Sequence, residues 1–268
     1  MKCPGVDLVR HPSGATDLVL LAHGGMEHSR ADPHLWRPAL LRMWPFAVAA
    51  RSAAPKAAIG LMRYRYRGWN GTAADPAADI RAVLDDLPSV IQRVFLIGHS
   101  MGGRAVVAAG DHPRVAGVLA LAPWLPAGEP LTALRPPVTF VHGADDRMTD
   151  PAGTMAYAAR LRAAGVAVTT YSLSGEAHAM LRRPKDWDRL VADFVRSAQA
   201  GPGADEPMSG GGTEQLPDVA SSSLVDAVGE IALARLRLPV KERFRVNCVA
   251  DDDPVDRGLG LVRRFRPR

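Results

Sequence analysis

Gly98-His99-Ser100-Met101-Gly102, with Gly103 directly behind, follows a short apolar run at residues 93–97 and precedes a stretch of small residues at 104–110. Glycine on both sides of a serine is what a turn requires when backbones pass so closely that a Cβ would collide with them. The strand-turn-helix setting is the one in which such a serine is lifted above a sheet edge. There it takes strained backbone angles at a helix N-terminus, where amide hydrogens and the helix dipole favour developing negative charge. The feature therefore demands a strand that feeds at once into a helix, the unit of a parallel sheet with crossover helices.

The surrounding pattern agrees. Short apolar runs at 6–10 (weakly), 17–22, 57–62, 93–97, 115–121, 138–141 and 166–172 alternate with longer amphipathic stretches. Asp75 with Pro76, and Asp150 with Pro151, read as an N-cap and first helical residue, for helices reaching about Leu87 and Gly165. The expected fold class is α/β, a mostly parallel twisted sheet with helices on both faces. From Ala200 the composition turns to Gly, Pro and Ser, which divides the chain into a 1–198 domain, a 199–221 linker and a 222–268 appendage. Within the appendage, 222–238 has a helical apolar face and 240–249 alternates weakly like a strand. Docking on the core, pairing with another chain and staying disordered all remain open for it.

A serine hydroxyl is a poor nucleophile at neutral pH and needs a base, itself oriented by an acid. Downstream, His142-Gly143-Ala144-Asp145-Asp146-Arg147 follows one strand, and Gly175-Glu176-Ala177-His178 follows the next. Both loops fall at the carboxyl ends of strands, where catalytic groups of such sheets collect. His178 is the histidine placed to serve as base, while Asp145 and Asp146 both stand where the acid is needed. His23 and His142, each before a glycine at a strand end, read as loop-packing residues, His99 as packing beside Ser100, and His28 as a surface residue.

With these motifs in order, residues 17–198 resemble an α/β-hydrolase. His23-Gly24-Gly25-Met26-Glu27-His28-Ser29 and the glycine-flanked serine are similar to the monoacylglycerol lipase and lysophospholipase branch. Ala122-Pro123-Trp124 resembles the segment after the elbow helix of dienelactone-hydrolase-like and polyester-hydrolase enzymes. The resemblance implies Ser100 as nucleophile, His178 as base and then acid, and Asp146, four positions after His142, as the acid in preference to Asp145. It also implies an oxyanion hole of the Gly25 and Met101 amides, and substrate contacts from Trp124, His99 and Met26. No metal and no cofactor is expected.

Only about 16 residues, five of them proline, separate the strands ending at Leu121 and starting at Val138. That leaves no room for a substantial cap, so small or medium acyl esters are the expected substrates. Thioester, amide or carbon–carbon hydrolysis on the same residues, or a non-catalytic relative binding a small molecule or a partner, are the alternatives.

Composition removes other classes. Basic residues exceed acidic by only 33 to 28 and are scattered, so nucleic acid is not an expected partner. Arg63, Arg65 and Arg67, interleaved with Tyr64 and Tyr66, read as a solvated edge. Asp251-Asp252-Asp253 reads as a solvated turn with no second ligand cluster. No apolar run reaches the roughly 18–20 residues of a membrane span. Cys3 and Cys248 are expected as free thiols, a single bridge between them being the alternative, and the location is expected to be cytoplasmic.

Overall fold

The computed structural model describes residues 2–32, 37–200, 213–216 and 224–246. Nine strands among them form one sheet in the order β8-β7-β6-β5-β4-β2-β3-β1-β9. The strands are β1 (Gly5–Arg10), β2 (Asp17–Ala22), β3 (Ala58–Arg63), β4 (Arg93–His99), β5 (Val115–Leu121), β6 (Val138–Gly143), β7 (Val168–Leu173), β8 (Thr213–Leu216) and β9 (Glu242–Arg245). Every pairing from β8 across to β3 is parallel, whereas β1 runs antiparallel to β3 and β9 antiparallel to β1.

Helices cover both faces because successive strand residues point to opposite sides. Leu18, Leu20, Val94, Leu96, Val118 and Ala120 enter one core with α3 (Asp75–Asp86), α4 (Met101–Ala108) and α5 (Pro151–Ala163). Val19, Leu21, Phe95, Ile97, Leu119 and Leu121 enter the other, with α2 (Met43–Ala53) and α6 (Pro184–Ala200). The short α1 (Arg37–Leu41) precedes α2, and α7 (Leu224–Arg237) packs against α2. Strands this fully buried on both faces read as continuous apolar runs, which is why their positions were visible in the sequence.

Three expectations need correction. Asp75 is the first residue of α3 and not its cap; Ala74 precedes the helix at φ 44°. The Asp75 carboxylate instead accepts from Asn70 Nδ2 at 2.8 Å. Asp150 does cap α5, accepting from the amides of Ala152 and Gly153 at 2.9 and 3.0 Å. Second, β8 lies inside the stretch read as linker. Third, Cys3 is disulfide-bonded. β9 runs along β1 with Gly5 opposite Arg245, and Val246 N–H donates to Pro4 O, so the segment beside Cys3 lies against residues 245–246. Cys248 and Asp251 to Asp253 lie outside the described residues.

Residues 122–137 contain no helix or strand, in keeping with a minimal cap. Their loop packs down on the α4–α5 side, Leu125 and Leu134 being buried. Tyr157 O–H donates to Pro130 O and accepts from the Thr132 amide. No described helix is long and apolar enough to cross a membrane.

Candidate active site

β4 ends into α4 without a loop, and the geometry there follows from the glycines. A Cβ on Gly98 would stand 2.2 Å from Gly102 O, and one on Gly102 would stand 2.2 Å from Ala22 O. Ser100, between them, is held at φ 59° and ψ −121°. Such a conformation costs about 1–3 kcal/mol and persists only where its surroundings enforce it. Here Ser100 N–H donates to Leu121 O, while Ser100 O accepts from Trp124 N–H, so strand β5 and its following loop clamp the turn.

His178 comes from the loop after β7 and brings Nε2 to 3.1 Å from Ser100 Oγ. Its Nδ1 lies 2.8 Å from Asp146 Oδ2 and 3.1 Å from Thr149 Oγ1. With Nδ1–H donating to the carboxylate, Nε2 is free to accept the serine proton, a tautomer assigned from the network. Asp146 is buried, and Asp145 is exposed, paired at the surface with Arg182. The geometry thus brings Asp146 and not Asp145 to His178.

Burial alone would raise the Asp146 carboxyl, but the bonds it accepts outweigh that cost and hold it well below the usual carboxylate range. His142 Nε2, His178 Nδ1 and the Thr149 hydroxyl converge on Oδ2, and the amides of Met148 and Thr149 on Oδ1. His142 is therefore more than a loop filler: it is fully buried, with Nδ1 2.9 Å from Thr154 Oγ1 and Nε2 on Asp146. The spacing of four between His142 and Asp146 was the available sequence signal, yet Thr149 and Thr154 carried none.

His99 sits behind the pair. Its Nε2–H donates to His178 O at 3.1 Å and its ring lies 4.8 Å from the His178 ring. Burial first, then the charges of His178 and Arg42, push its pKa well below the ordinary histidine range, so it is neutral. Glu176, two residues before His178, is fully buried and ties the same loop through the amides of Ala177 and Arg183 and the Trp187 indole N–H. Sequence reading passed over it.

On the other side of Ser100, the Met26 amide is committed to Arg67 O and the Trp69 amide to Met26 O, which fixes the loop after β2 against the loop after β3. A Cβ on Gly24 would lie 3.6 Å from Ser100 Oγ, and one on Gly25 would lie 2.3 Å from Arg67 O. The Gly25 backbone is thus packed between Arg67 and the Met101 side chain, beside the serine. His23 Nδ1–H donates to Gly24 O within this loop. Met26 is 43% exposed beside the opening. Trp124 stands next to the serine turn, edge-on to Trp69. Arg63 pairs with Asp7, and Arg65 with Asp79 and Asp75, so these two arginines are spent on internal carboxylates. Among the described residues no cluster of three or more His, Cys, Asp or Glu has metal-binding geometry.

Comparison with known proteins matches this arrangement to a family. No curated protein sequence matches the chain. Est1E from Butyrivibrio proteoclasticus superposes with a TM-score of 0.51 at 15% identity, covering 74% of this chain and 94% of that one. A sugar hydrolase from Lactococcus lactis gives 0.55 at 17% identity, with 75% and 96% covered. A putative alpha/beta hydrolase from Agrobacterium tumefaciens gives 0.58 at 14% identity, with 76% and 94% covered. At these identities the likeness is one of fold. The sequence profile of the alpha/beta hydrolase family matches residues 19–257, and the chain belongs to that family.

Proposed function

We propose that the protein is a serine hydrolase of carboxylic esters with small or medium acyl chains, working through an acyl-enzyme on Ser100. In the first half-reaction His178 Nε2 takes the Ser100 proton as Oγ bonds to the ester carbon. The carbon–oxygen bond then breaks, and His178 returns the proton to the departing alcohol. In the second half, water gives a proton to His178 as its oxygen bonds to the acyl carbon, the bond from that carbon to Ser100 Oγ breaks, and His178 returns the proton to Oγ as the acid leaves. Asp146 holds the imidazole and stabilises its charged form. The amides of Gly25 and Met101 receive the oxyanion, an interaction whose loss costs on the order of 10²–10³ in rate.

The observation that carries this reading is the continuous chain Ser100 Oγ, His178 Nε2, His178 Nδ1, Asp146 Oδ2, with links of 3.1 and 2.8 Å. It is built from the tight turn after β4 and the loops after β6 and β7. Ser100→Ala is expected to lower p-nitrophenyl butyrate turnover by more than about a hundredfold without shifting the thermal unfolding midpoint by more than a few degrees. A fluorophosphonate probe is expected to label the native chain and not the variant. An alanine variant that retained activity would remove the acyl-enzyme mechanism.

A further inference from the structure

The reaction scheme assigns the orientation of His178 to Asp146 alone, yet a second oxygen stands within hydrogen-bond distance of the same ring nitrogen. Thr149 Oγ1 lies 3.1 Å from His178 Nδ1, against 2.8 Å for Asp146 Oδ2, and the two oxygens are 2.8 Å apart. The hydroxyl also stands 3.3 Å from His142 Nε2 and 3.3 Å from Ala122 O. One buried hydroxyl thus reaches the carboxylate, both histidines that touch it and the chain segment that follows β5.

Its place is set by the local chain. Thr149 follows Asp146 by three residues and donates its amide to Asp146 Oδ1 at 3.0 Å, so the turn that presents the carboxylate also presents the hydroxyl. The next residue, Asp150, caps α5 by accepting from the amides of Ala152 and Gly153, which anchors the end of the same turn to a helix. A β-branched side chain has few χ1 choices, and burial keeps this one from turning out to water. The two oxygens are therefore held as a pair by one short stretch of chain.

A single proton decides what the hydroxyl does. Thr149 has one hydrogen to give and two lone pairs to receive. Asp146 Oδ2, anionic and at 2.8 Å, takes that hydrogen ahead of the neutral Ala122 O at 3.3 Å. The lone pairs are left for N–H donors, and His178 Nδ1–H at 3.1 Å is the nearer of the two histidines, His142 Nε2–H standing at 3.3 Å. The His178 proton is then shared between Oδ2 and Oγ1 in a three-centre bond. A second acceptor widens the range of ring orientations over which Nδ1–H stays bonded, as the ring turns from the serine to the leaving oxygen. We infer that Thr149 is a second positioning residue for His178, its hydroxyl oxygen holding Nδ1–H directly and not only by way of Asp146. This step rests on the proposed use of His178 as the base.

A double-mutant cycle on the full chain separates a direct contact from one relayed by the carboxylate. It compares the native protein, Thr149→Val, Asp146→Ala and the double variant by the rate of fluorophosphonate labelling of Ser100, which is followed over hours and so reaches weak variants. Thr149→Val should slow labelling at least about tenfold, and in p-nitrophenyl butyrate turnover the loss should fall on kcat, with KM changed by less than about threefold. Thr149→Ser, which keeps the hydroxyl, should stay within about threefold of the native rate. In the Asp146→Ala background the hydroxyl, its own hydrogen turned to Ala122 O, is the remaining acceptor for Nδ1–H among the described residues. Adding Thr149→Val there should slow labelling by a further factor of about five or more. Thermal melts verify that each variant is folded, and if Asp146→Ala does not fold, Asp146→Asn carries the cycle. A valine substitution without effect in the Asp146 variant means that the hydroxyl works only through the carboxylate, and overturns the proposal. So does Thr149→Val equal to the native chain, or a loss that Thr149→Ser does not recover. A native chain that takes no fluorophosphonate and hydrolyses no ester overturns the hydrolase reading and the proposal with it, whereas the other three outcomes leave that reading standing.

Discussion

A carboxylate shut away from water is tolerated as an anion only where donors replace its lost hydration, and the surroundings of Asp146 supply them from two histidines, a hydroxyl and two amides. Because its folded pKa lies below the ordinary value, Asp146 contributes stability above about pH 4, and that contribution fades only as pH falls through the lower folded value. Of the side chains that donate to it, His142, on β6, is the one with no hydrogen bond to His178 or Ser100. His142→Leu leaves the carboxylate buried with one donor fewer, so its pKa rises. The expected results are a fall in kcat of about tenfold or more with KM little changed, and acid loss of activity beginning at higher pH than in the native chain. His142→Gln, which keeps an N–H donor, should recover part of both. A pH profile of kcat and of the unfolding midpoint for the three proteins checks this. If the pH profile stayed fixed while the protein merely became less stable, His142 would be structural filler after all.

At the scale of elements, α6 carries a carboxylate with no such compensation. Asp188 of α6 has a buried Oδ1 without a hydrogen-bond partner. Burial first, and then the charge of Glu230 on α7, push its pKa up to about 7. A carboxyl with a raised folded pKa costs stability as pH climbs from its unfolded value near 4 through the folded one, so the cost is complete by about pH 8. Asp188→Asn should therefore raise the free energy of unfolding at pH 8 by on the order of 1–3 kcal/mol, with a higher melting midpoint there, and do little at pH 4, as thermal melts at both values would show. The same contrast explains what the sequence disclosed. Strands such as Asp17–Ala22 and Val115–Leu121 are bounded as their apolar runs indicate, because a doubly covered strand has no solvent side to blur its pattern. Ser100 and His178 were legible because the glycines and the strand ends fix where they stand. Glu176, His142 and Thr149 were not, since their roles arise from partners far along the chain: Trp187, Thr154 and His178. The four residues of β8 were hidden for a similar reason, as only their pairing with β7 identifies them.

For the whole molecule, the C-terminal residues do something their composition did not advertise: they supply the outermost strand at both ends of the sheet. β8 pairs with β7 at one edge and β9 with β1 at the other, while Ala234 of α7 and Leu238 just beyond it are buried in the core on the α2 side. Removing everything after residue 200 would expose the unpaired backbone of β7 and β1 together with the Leu41 and Trp44 surface that α7 faces. A chain ending at residue 200 retains Ser100, Asp146 and His178, so the site's chemistry is intact in principle, but both edges become templates for pairing. The expected outcome is a loss of about 2–4 kcal/mol, or roughly 5–15 °C in Tm, together with concentration-dependent association. Thermal melts and size-exclusion chromatography at two protein concentrations measure both. A truncated chain that stayed monomeric with an unchanged midpoint would show that β8, α7 and β9 decorate the hydrolase core without holding it, and the reason for carrying them would then have to be sought in a partner.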